Sequence, residues 1–380
     1  MKDLSGLVRP ELWWHPVWSG GTPASADRSG WVRRLRRGDR VPAKIAKAVS
    51  VPISVAERAS LERGRLATLA LGVLGEWGHA TAHQIAEIGG CKPSDVRNAL
   101  YDMLGAGWVS RGQVGFYFDP WSAGEYWRLA GSRDLRWMLD RFTVADVVVE
   151  FGGRPLENLA SGHHHARHDL FAVEVMLAVC ARSPGVGTVL GPTSAVHERV
   201  LGSGDGHQAA DAVIVRDDGS VVFIEASSST SGGVKRMLHY AEMFASGRGA
   251  GAQVVFLDMT LPGDERASRN RPERVLAEVL AARPQDAGRL RDRVAFASWR
   301  DWFPAEGEFR PLLPVQVATN REVTEFREVH ALGDGRPDGW RSTVGEPGWV
   351  SAHRQLGYTH FLLPRPEDPP LRWLDWVQSE

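Results

Sequence analysis

Apolar and polar positions follow helical spacing between residues 66 and 107. An apolar run at residues 66–74 predicts one helix, which the glycines after it end. The sequence TAHQIAEIGG predicts a short second helix that Thr81 caps. A third helix is predicted over KPSDVRNALYDMLGAGWV, and we expect Gly105 and Gly107 to end it. The apolar stripe of this helix consists of Val96, Leu100, Met103 and Leu104.

The residues after the third helix, GWVSRGQVGFYF, predict a two-stranded ribbon with its turn at residues 111–113. Three helices followed by a ribbon resemble a winged helix-turn-helix domain over residues 66–118. In that fold the third helix enters the major groove of DNA, where base edges carry a code of donors and acceptors. The resemblance implies DNA contacts by Arg97, Asn98, Tyr101 and, on the wing, Arg111. The same side chains would also suit a solvated surface or a protein partner.

Between residues 166 and 298, helical and strand patterns alternate. They predict the order helix, strand, strand, strand, helix, strand, helix, strand, with the first strand at SAVHERVL. The strongest hairpin in the chain is ADAVIVRDDGSVVFIEAS, in which two β-rich runs flank a turn at residues 217–219. We therefore predict an α/β multidomain protein, with a winged helix-turn-helix followed by an αβββαβ core.

Two carboxylates, Asp211 and Glu225, stand near the open end of this hairpin. A three-residue loop with Gly219 in the left-handed conformation places Arg216 opposite Ser220, and Asp211 then lies opposite Glu225. In that register the two carboxylates would be close enough to share a divalent cation. A two-residue loop would place them on opposite faces of the sheet. A purely structural role, with hydrogen bonds holding one carboxylate and a turn containing the other, also stays open.

An Asp before a hairpin and a Glu after it, within an αβββαβ order, resemble the PD-(D/E)XK nuclease-like superfamily. The resemblance implies that Glu174 joins Asp211 and Glu225 as a metal ligand, with Mg²⁺ as the cofactor if the site is active. Ser227 stands where that superfamily has a lysine that orients the attacking water and offsets developing charge. Lys235, in the next helix, is the candidate replacement. The missing lysine favours an inactive site with no cofactor.

The two domains in this order resemble the replication-relaxation family of plasmids and mobile elements. The matching segments are TAHQIAEIGG to GWVSR, the helix start at residues 168–170, and ADAVIV to KRMLHYAEMF. In that family a Glu, a Thr-containing turn, a Lys and a Tyr follow one another, and here these are Glu225, Thr230, Lys235 and Tyr240. Serines 227–229 stand where the family usually has a charged pair. The resemblance implies DNA binding in the replication, mobilisation or regulation of a mobile element.

Charge is balanced over the 380 residues, with 45 Lys and Arg against 46 Asp and Glu. Any nucleic-acid surface must therefore be local. Residues 28–47 hold eight basic residues and one acid, a local charge of +7. We expect this segment to add affinity for DNA phosphates, although a basic run also suits a solvated surface. The arginines expected to contact phosphate are Arg33, Arg34, Arg36 and Arg37.

Composition also predicts the compartment and the domain boundaries. The two cysteines cannot make a disulfide framework and no apolar stretch is long enough to span a membrane, so we expect a cytoplasmic protein without membrane contacts. None of the 15 tryptophans lies between Trp137 and Trp299, which marks a separate domain. The predicted domains are a basic arm (1–60), a winged helix (61–122), a helical linker (123–160), a nuclease-like domain (161–300) and a loop-rich extension (301–380).

Three further features have simpler interpretations. The adjacent histidines at 163–165 suit a solvated loop, because three neighbours cannot all face one ion. Clustered tryptophans near both ends of the chain suit anchors on a core, or stacking on bases. The amphipathic segments RWMLDRF and RWLDWV would suit a homodimer contact.

The function that these patterns predict is sequence-preferring binding of double-stranded DNA, with a nuclease-like domain that does not cleave. Two alternatives stay open. One is a metal-dependent DNA endonuclease that uses Asp211, Glu225 and Lys235. The other is a protein-interaction module of a conjugation or defence complex.

Overall fold

The computed structural model describes residues 22–116, 119–131, 166–201, 208–227, 233–247, 249, 251–259, 272–305 and 307–333. These residues form a mixed α/β protein with one four-stranded and one seven-stranded sheet. The chain divides into two units, residues 1–174 with 352–380 and residues 175–351. No helix within these ranges is long and apolar enough to cross a membrane.

The first unit contains an antiparallel sheet in the order β1-β3-β4-β2. Its elements are β1 (Thr22–Ala26), α1 (Arg28–Arg36), α2 (Ala43–Ser50), α3 (Ile53–Glu62), α4 (Arg65–Trp77), β2 (His79–Ala80), α5 (Ala82–Ile88), α6 (Pro93–Ala106), β3 (Val109–Phe116) and β4 (Asp119–Leu129). Helix α7 (Ala166–Arg182) begins in this unit and ends in the second.

Side-chain caps explain where two of these helices begin. Asp27 accepts a hydrogen bond from the backbone N–H of Gly30 at 2.8 Å and so caps α1. Thr81 and Gln84 form a reciprocal capping box at the start of α5. The predicted cap at Thr81 is confirmed. Gly107 ends α6 in the left-handed conformation, with φ of 80°.

Helix α6 is the central element of the first unit and packs against α2, α3, α4, α5 and β3. Its predicted apolar stripe is fully buried. Gly105 does not end the helix as predicted, because it lies inside α6 where the helix approaches α2 and α3. A Cβ atom on Gly105 would lie 2.8 Å from the carbonyl oxygen of Ala48 and 3.0 Å from the Cβ atom of Ala56.

The predicted turn at residues 111–113 is wrong. Strand β3 continues through these residues and pairs with β4 from Val109 onward. Gly112 marks a close approach and not a turn, since a Cβ atom there would lie 2.1 Å from Cζ of Tyr126 on β4. Because β4 extends to Leu129, the predicted helical linker is also wrong at residues 123–129.

The segment predicted as a basic arm is folded. Strand β1 pairs with β3 along its whole length, and α3 and α2 pack on α6. Residues 22–60 therefore belong to the first unit, because they cover apolar surface of α6.

The second unit is built on a sheet in the order β5-β6-β7-β8-β9-β10-β11. Strands β7, β8 and β9 are parallel, and the other neighbours are antiparallel. Its elements after α7 are β5 (Val186–Leu190), α8 (His197–Val200), β6 (Ala212–Arg216), β7 (Val221–Ser227), α9 (Gly233–Ala245), β8 (Ala252–Asp258), α10 (Pro272–Ala282), a 3₁₀ turn (Pro284–Asp286), α11 (Ala287–Arg291), β9 (Val294–Ser298), α12 (Trp299–Trp302), β10 (Pro314–Ala318) and β11 (Phe326–His330).

Two predictions for this unit are wrong. The segment SAVHERVL is not a strand: it contains α8, and the strand that pairs with β6 is β5, earlier in the chain. Part of the predicted loop-rich extension forms the β10–β11 hairpin, which adds two strands to the sheet. For the hairpin, pairing of β10 with β9 decides the structure, and local sequence does not reveal that pairing.

The hairpin of β6 and β7 has the predicted three-residue loop. Gly219 has φ of 77°, and the N–H of Arg216 donates to the carbonyl of Ser220 at 2.9 Å. Ala212 pairs with Ile224, so Asp211 lies opposite Glu225. The predicted register is confirmed.

Candidate functional site

Asp211 and Glu225 meet in the second unit and share one cation, the guanidinium of Arg236 from α9. Nη1 of Arg236 lies 3.1 Å from Oδ2 of Asp211 and also contacts Oε2 of Glu225. Oδ2 of Asp211 accepts a second hydrogen bond from the N–H of Ala226 at 2.8 Å. Both carboxylates are buried. Both contacts come from Nη1, which carries two hydrogens and so can donate to both carboxylates.

A chain of hydrogen bonds leads away from Glu225. The hydroxyl of Tyr240 donates to Oε1 of Glu225 at 2.6 Å, and Nε2 of His197 lies 2.7 Å from that hydroxyl. Since the hydroxyl proton points to Glu225, Nε2 of His197 is the donor to Tyr240. Nδ1 of His197 then accepts from Nε2 of His239 at 2.9 Å. These hydrogen bonds connect the half-buried His239 with the fully buried side chain of Glu225.

Burial determines the protonation of this cluster. Burial and the neighbouring Asp211 carboxylate raise the pKa of Glu225 to about 8, against the opposing effect of Arg236. Burial lowers the pKa of His197 to about 3, and His239 acts in the same direction. A neutral His197 agrees with the tautomer that the hydrogen bonds require.

Lys235 is exposed, and the neighbouring residue Arg236 supplies the cation that contacts Asp211 and Glu225. The described residues contain no group of three or more His, Cys, Asp or Glu side chains that could hold a metal ion.

Glu174 has a structural partner within the first unit. Nε2 of Gln84 donates to Oε2 of Glu174 at 3.0 Å and to the carbonyl of Leu170 at 2.9 Å. Nearby, Nδ1 of His79 lies 2.6 Å from Oδ2 of Asp169. These buried polar contacts connect the start of α7 to β2 and α5.

Three of the predicted DNA contacts converge on a carboxylate that the sequence did not single out, Glu125 of β4. Arg111 is buried, and its Nε and Nη2 atoms lie 3.1 and 3.0 Å from Oε2 of Glu125. The hydroxyl of Tyr101 donates to the same oxygen at 3.2 Å, and burial raises the pKa of Tyr101 to about 12. Nε of Arg97 lies 4.0 Å from Oε1 of Glu125. Arg111 is thus not a phosphate contact at a wing tip, because its guanidinium is used inside the sheet.

The other predicted DNA contacts face solvent. Asn98 is exposed on the first half of α6. The arginines of the basic segment are exposed at the end of α1 and just after it, and they are Arg33, Arg34, Arg36 and Arg37. Lys44 and Lys47 on α2 are exposed as well.

Four residues of these clusters were missed from the sequence, namely Arg236, His197, His239 and Glu125. The spacing held one signal for Arg236, since it lies four residues before Tyr240 and shares its helix face. Glu125 carried no such signal, because the ribbon was predicted in the wrong register.

The histidines at 163–165, the Trp clusters near both ends and the two amphipathic segments lie outside the described residues. No protein-family model, curated protein or solved structure matches this chain.

Proposed function

We propose that this protein binds double-stranded DNA through its first unit. The observation that carries the proposal is the cationic surface of α1, where Arg33, Arg34, Arg36 and Arg37 are exposed on a folded helix or directly after it. Exposed guanidinium groups of this kind neutralise phosphates and release counterions, which supplies affinity for any sequence.

The topology around α6 supports a winged helix as the DNA-binding element. Helices α4, α5 and α6 are followed by the long β3–β4 hairpin, and β2, between α4 and α5, pairs with β4. In winged helices the first turns of the third helix contact base edges. In α6 those turns expose Ser94, Asp95 and Asn98, whereas the second half of the helix is covered. Asn98 is therefore our candidate for base contact, because Arg97 and Tyr101 are close to Glu125.

The second unit supports a role without cleavage. A divalent cation shared by Asp211 and Glu225 would compete with Arg236 for the same carboxylate oxygens. The proposed role in a plasmid or mobile element rests on the resemblance of the sequence segments to the replication-relaxation family.

The proposal is tested by fluorescence anisotropy with a labelled duplex over a range of salt concentrations. Replacing Arg33, Arg34, Arg36 and Arg37 by alanine should weaken binding to every sequence. It should also lower the slope of log affinity against log salt by up to about 4, because each phosphate that is no longer neutralised reduces the slope by about 0.9. The matched control replaces Arg274 and Arg283 of the second unit by alanine and should leave both quantities unchanged.

Sequence preference is tested separately by selection from a random duplex pool. Asn98→Ala should reduce the enrichment of a preferred site while affinity for random duplex stays the same. If the unaltered protein binds no duplex at low salt, the proposal is wrong and a protein partner for the first unit is favoured.

A metal-dependent nuclease is the second candidate, because Asp211 and Glu225 do meet as a pair. It is tested by incubating supercoiled plasmid with the protein and Mg²⁺ or Mn²⁺. Our proposal expects no nicking. Nicking that disappears in Asp211→Ala would establish the nuclease instead.

A further inference from the structure

A cavity of about 560 Å³ opens in the first unit, where the end of β1 and helix α1 meet strands β3 and β4. Its volume is in the range of cavities that hold small ligands, roughly 300–1,000 Å³. Four of the residues that line it are arginines, namely Arg33, Arg34, Arg37 and Arg128. Two serines, Ser25 and Ser110, also line it.

The charge of this cavity is strongly positive. One carboxylate, Asp27, lines it against the four guanidinium groups. Asp27 is already used in capping α1, since it accepts from the N–H of Gly30 and the hydroxyl of Ser29, each at 2.8 Å. The cavity therefore offers donors to an anion and little to repel it.

Two of the arginines are held in place by their neighbours. Nε of Arg128 donates to the hydroxyl of Ser25 at 3.1 Å. The guanidinium of Arg34 lies 5.1 Å above the ring of Trp31, which is buried. Side chains oriented in advance lose less entropy when a ligand binds. Burial also lowers the pKa of Arg128, and a bound anion would offset that effect.

We infer that this cavity binds a phosphate-bearing anion. Guanidinium groups pair with phosphate oxygens through parallel hydrogen bonds, and the lining residues that the structure describes include no aromatic ring on which a base could stack. The phosphate could belong to a DNA backbone or to a free polyphosphate. In the first case the inference rests on the proposed function, and in the second case it does not.

The inference is tested by isothermal titration of the full-length protein with inorganic pyrophosphate. Arg37→Gln and Arg128→Gln should each weaken binding by about tenfold or more, as loss of a charge-assisted hydrogen bond does. Arg58→Gln is the matched control, because Arg58 is exposed on α3 of the same unit and does not line the cavity. Arg37 is exposed, so this variant tests the site even if Arg128→Gln fails to fold.

Competition between pyrophosphate and a labelled duplex separates the two sources. Displacement of the duplex would assign the cavity to a backbone phosphate, and binding of both together would assign it to a free phosphate ligand. The inference is overturned if pyrophosphate does not bind, or if Arg58→Gln weakens its binding as much as Arg37→Gln. Pyrophosphate binding without any duplex binding would support the inference while contradicting the proposed function.

Discussion

The carboxylate of Glu125 accepts hydrogen bonds from three side chains of the first unit, those of Tyr101, Arg111 and Trp127. Both Glu125 and Arg111 are buried. A buried ion pair does not by itself imply a large net stabilisation, but removing one partner leaves the other charge uncompensated. The stability of the β3–β4 hairpin should therefore depend on this one residue.

Glu125→Ala should lower the free energy of unfolding by about 3–5 kcal/mol, because the Arg111 guanidinium loses its carboxylate. Urea unfolding measures the change. Glu278→Ala is the matched control, since its carboxylate pairs with Arg274 at 3.2 Å on an exposed helix face and should cost less than about 1 kcal/mol. Equal losses in the two variants would contradict this account.

The raised pKa of Glu225 predicts a pH dependence of stability. The folded protein holds this proton more tightly than the unfolded chain, so the stabilisation is complete below the ordinary pKa of 4.5 and is lost as pH rises toward about 8. Glu225→Gln cannot lose a proton. The free energy of unfolding of the variant, relative to the original protein, should therefore rise by more than about 1 kcal/mol between about pH 5 and pH 8.

Comparison of the two proteins removes the contribution of His197, because both contain it. Burial lowers the pKa of His197, so the contribution of His197 to stability is fully present above pH 6.5. This contribution is lost as pH falls toward about 3. If the difference in the free energy of unfolding between the two proteins stayed constant with pH, Glu225 would be ionised over the whole pH range. It would then form a simple ion pair with Arg236.

At the scale of elements, the packing of α6 on α2 and α3 depends on Gly105. Gly105→Ala should destabilise the protein by about 1–3 kcal/mol, because the new methyl group would lie 2.8 Å from the carbonyl oxygen of Ala48. Alanine otherwise favours a helix over glycine by about 0.5–1 kcal/mol. The control is Gly288→Ala in α11, where no atom lies within 4 Å of the added Cβ atom and stability should stay the same or increase.

Thermal unfolding of both glycine variants measures the contrast. If Gly105→Ala were as stable as Gly288→Ala, helices α2 and α3 would not be close to α6 in solution. The proposed DNA-contacting surface would then also change, because these helices cover the second half of α6.

Element by element, the sequence predicted six of the twelve described α-helices (α4, α5, α6, α7, α9 and α10) and the β6–β7 hairpin, including its loop and register. The signals were local: the capping box at Thr81, the stripe on α6 and Gly219 in its left-handed turn. Two of the errors came at glycines. Gly105 and Gly112 were expected to end or turn the chain, whereas each allows a close approach by a neighbour distant in sequence.

At the scale of the whole molecule, composition indicated two structural units but did not predict where each unit begins and ends along the chain. The division between the units falls inside α7, and residues 22–60 fold onto α6. Charge counts identified the basic segment but could not show that part of it, with Arg128 from β4, surrounds a cavity. Such a site combines residues almost a hundred positions apart.

The sequence by itself determined half of the described α-helices, the turn that sets the hairpin register, and the pairing of Asp211 with Glu225, because each depends on residues close together in the chain. Only the tertiary structure decided that Arg236 and not Lys235 contacts that pair. It also decided that Arg111 forms an ion pair with Glu125 inside a sheet. The physical reason is that a buried charge must find its partner wherever the packing places one. Local spacing carries little information about that partner.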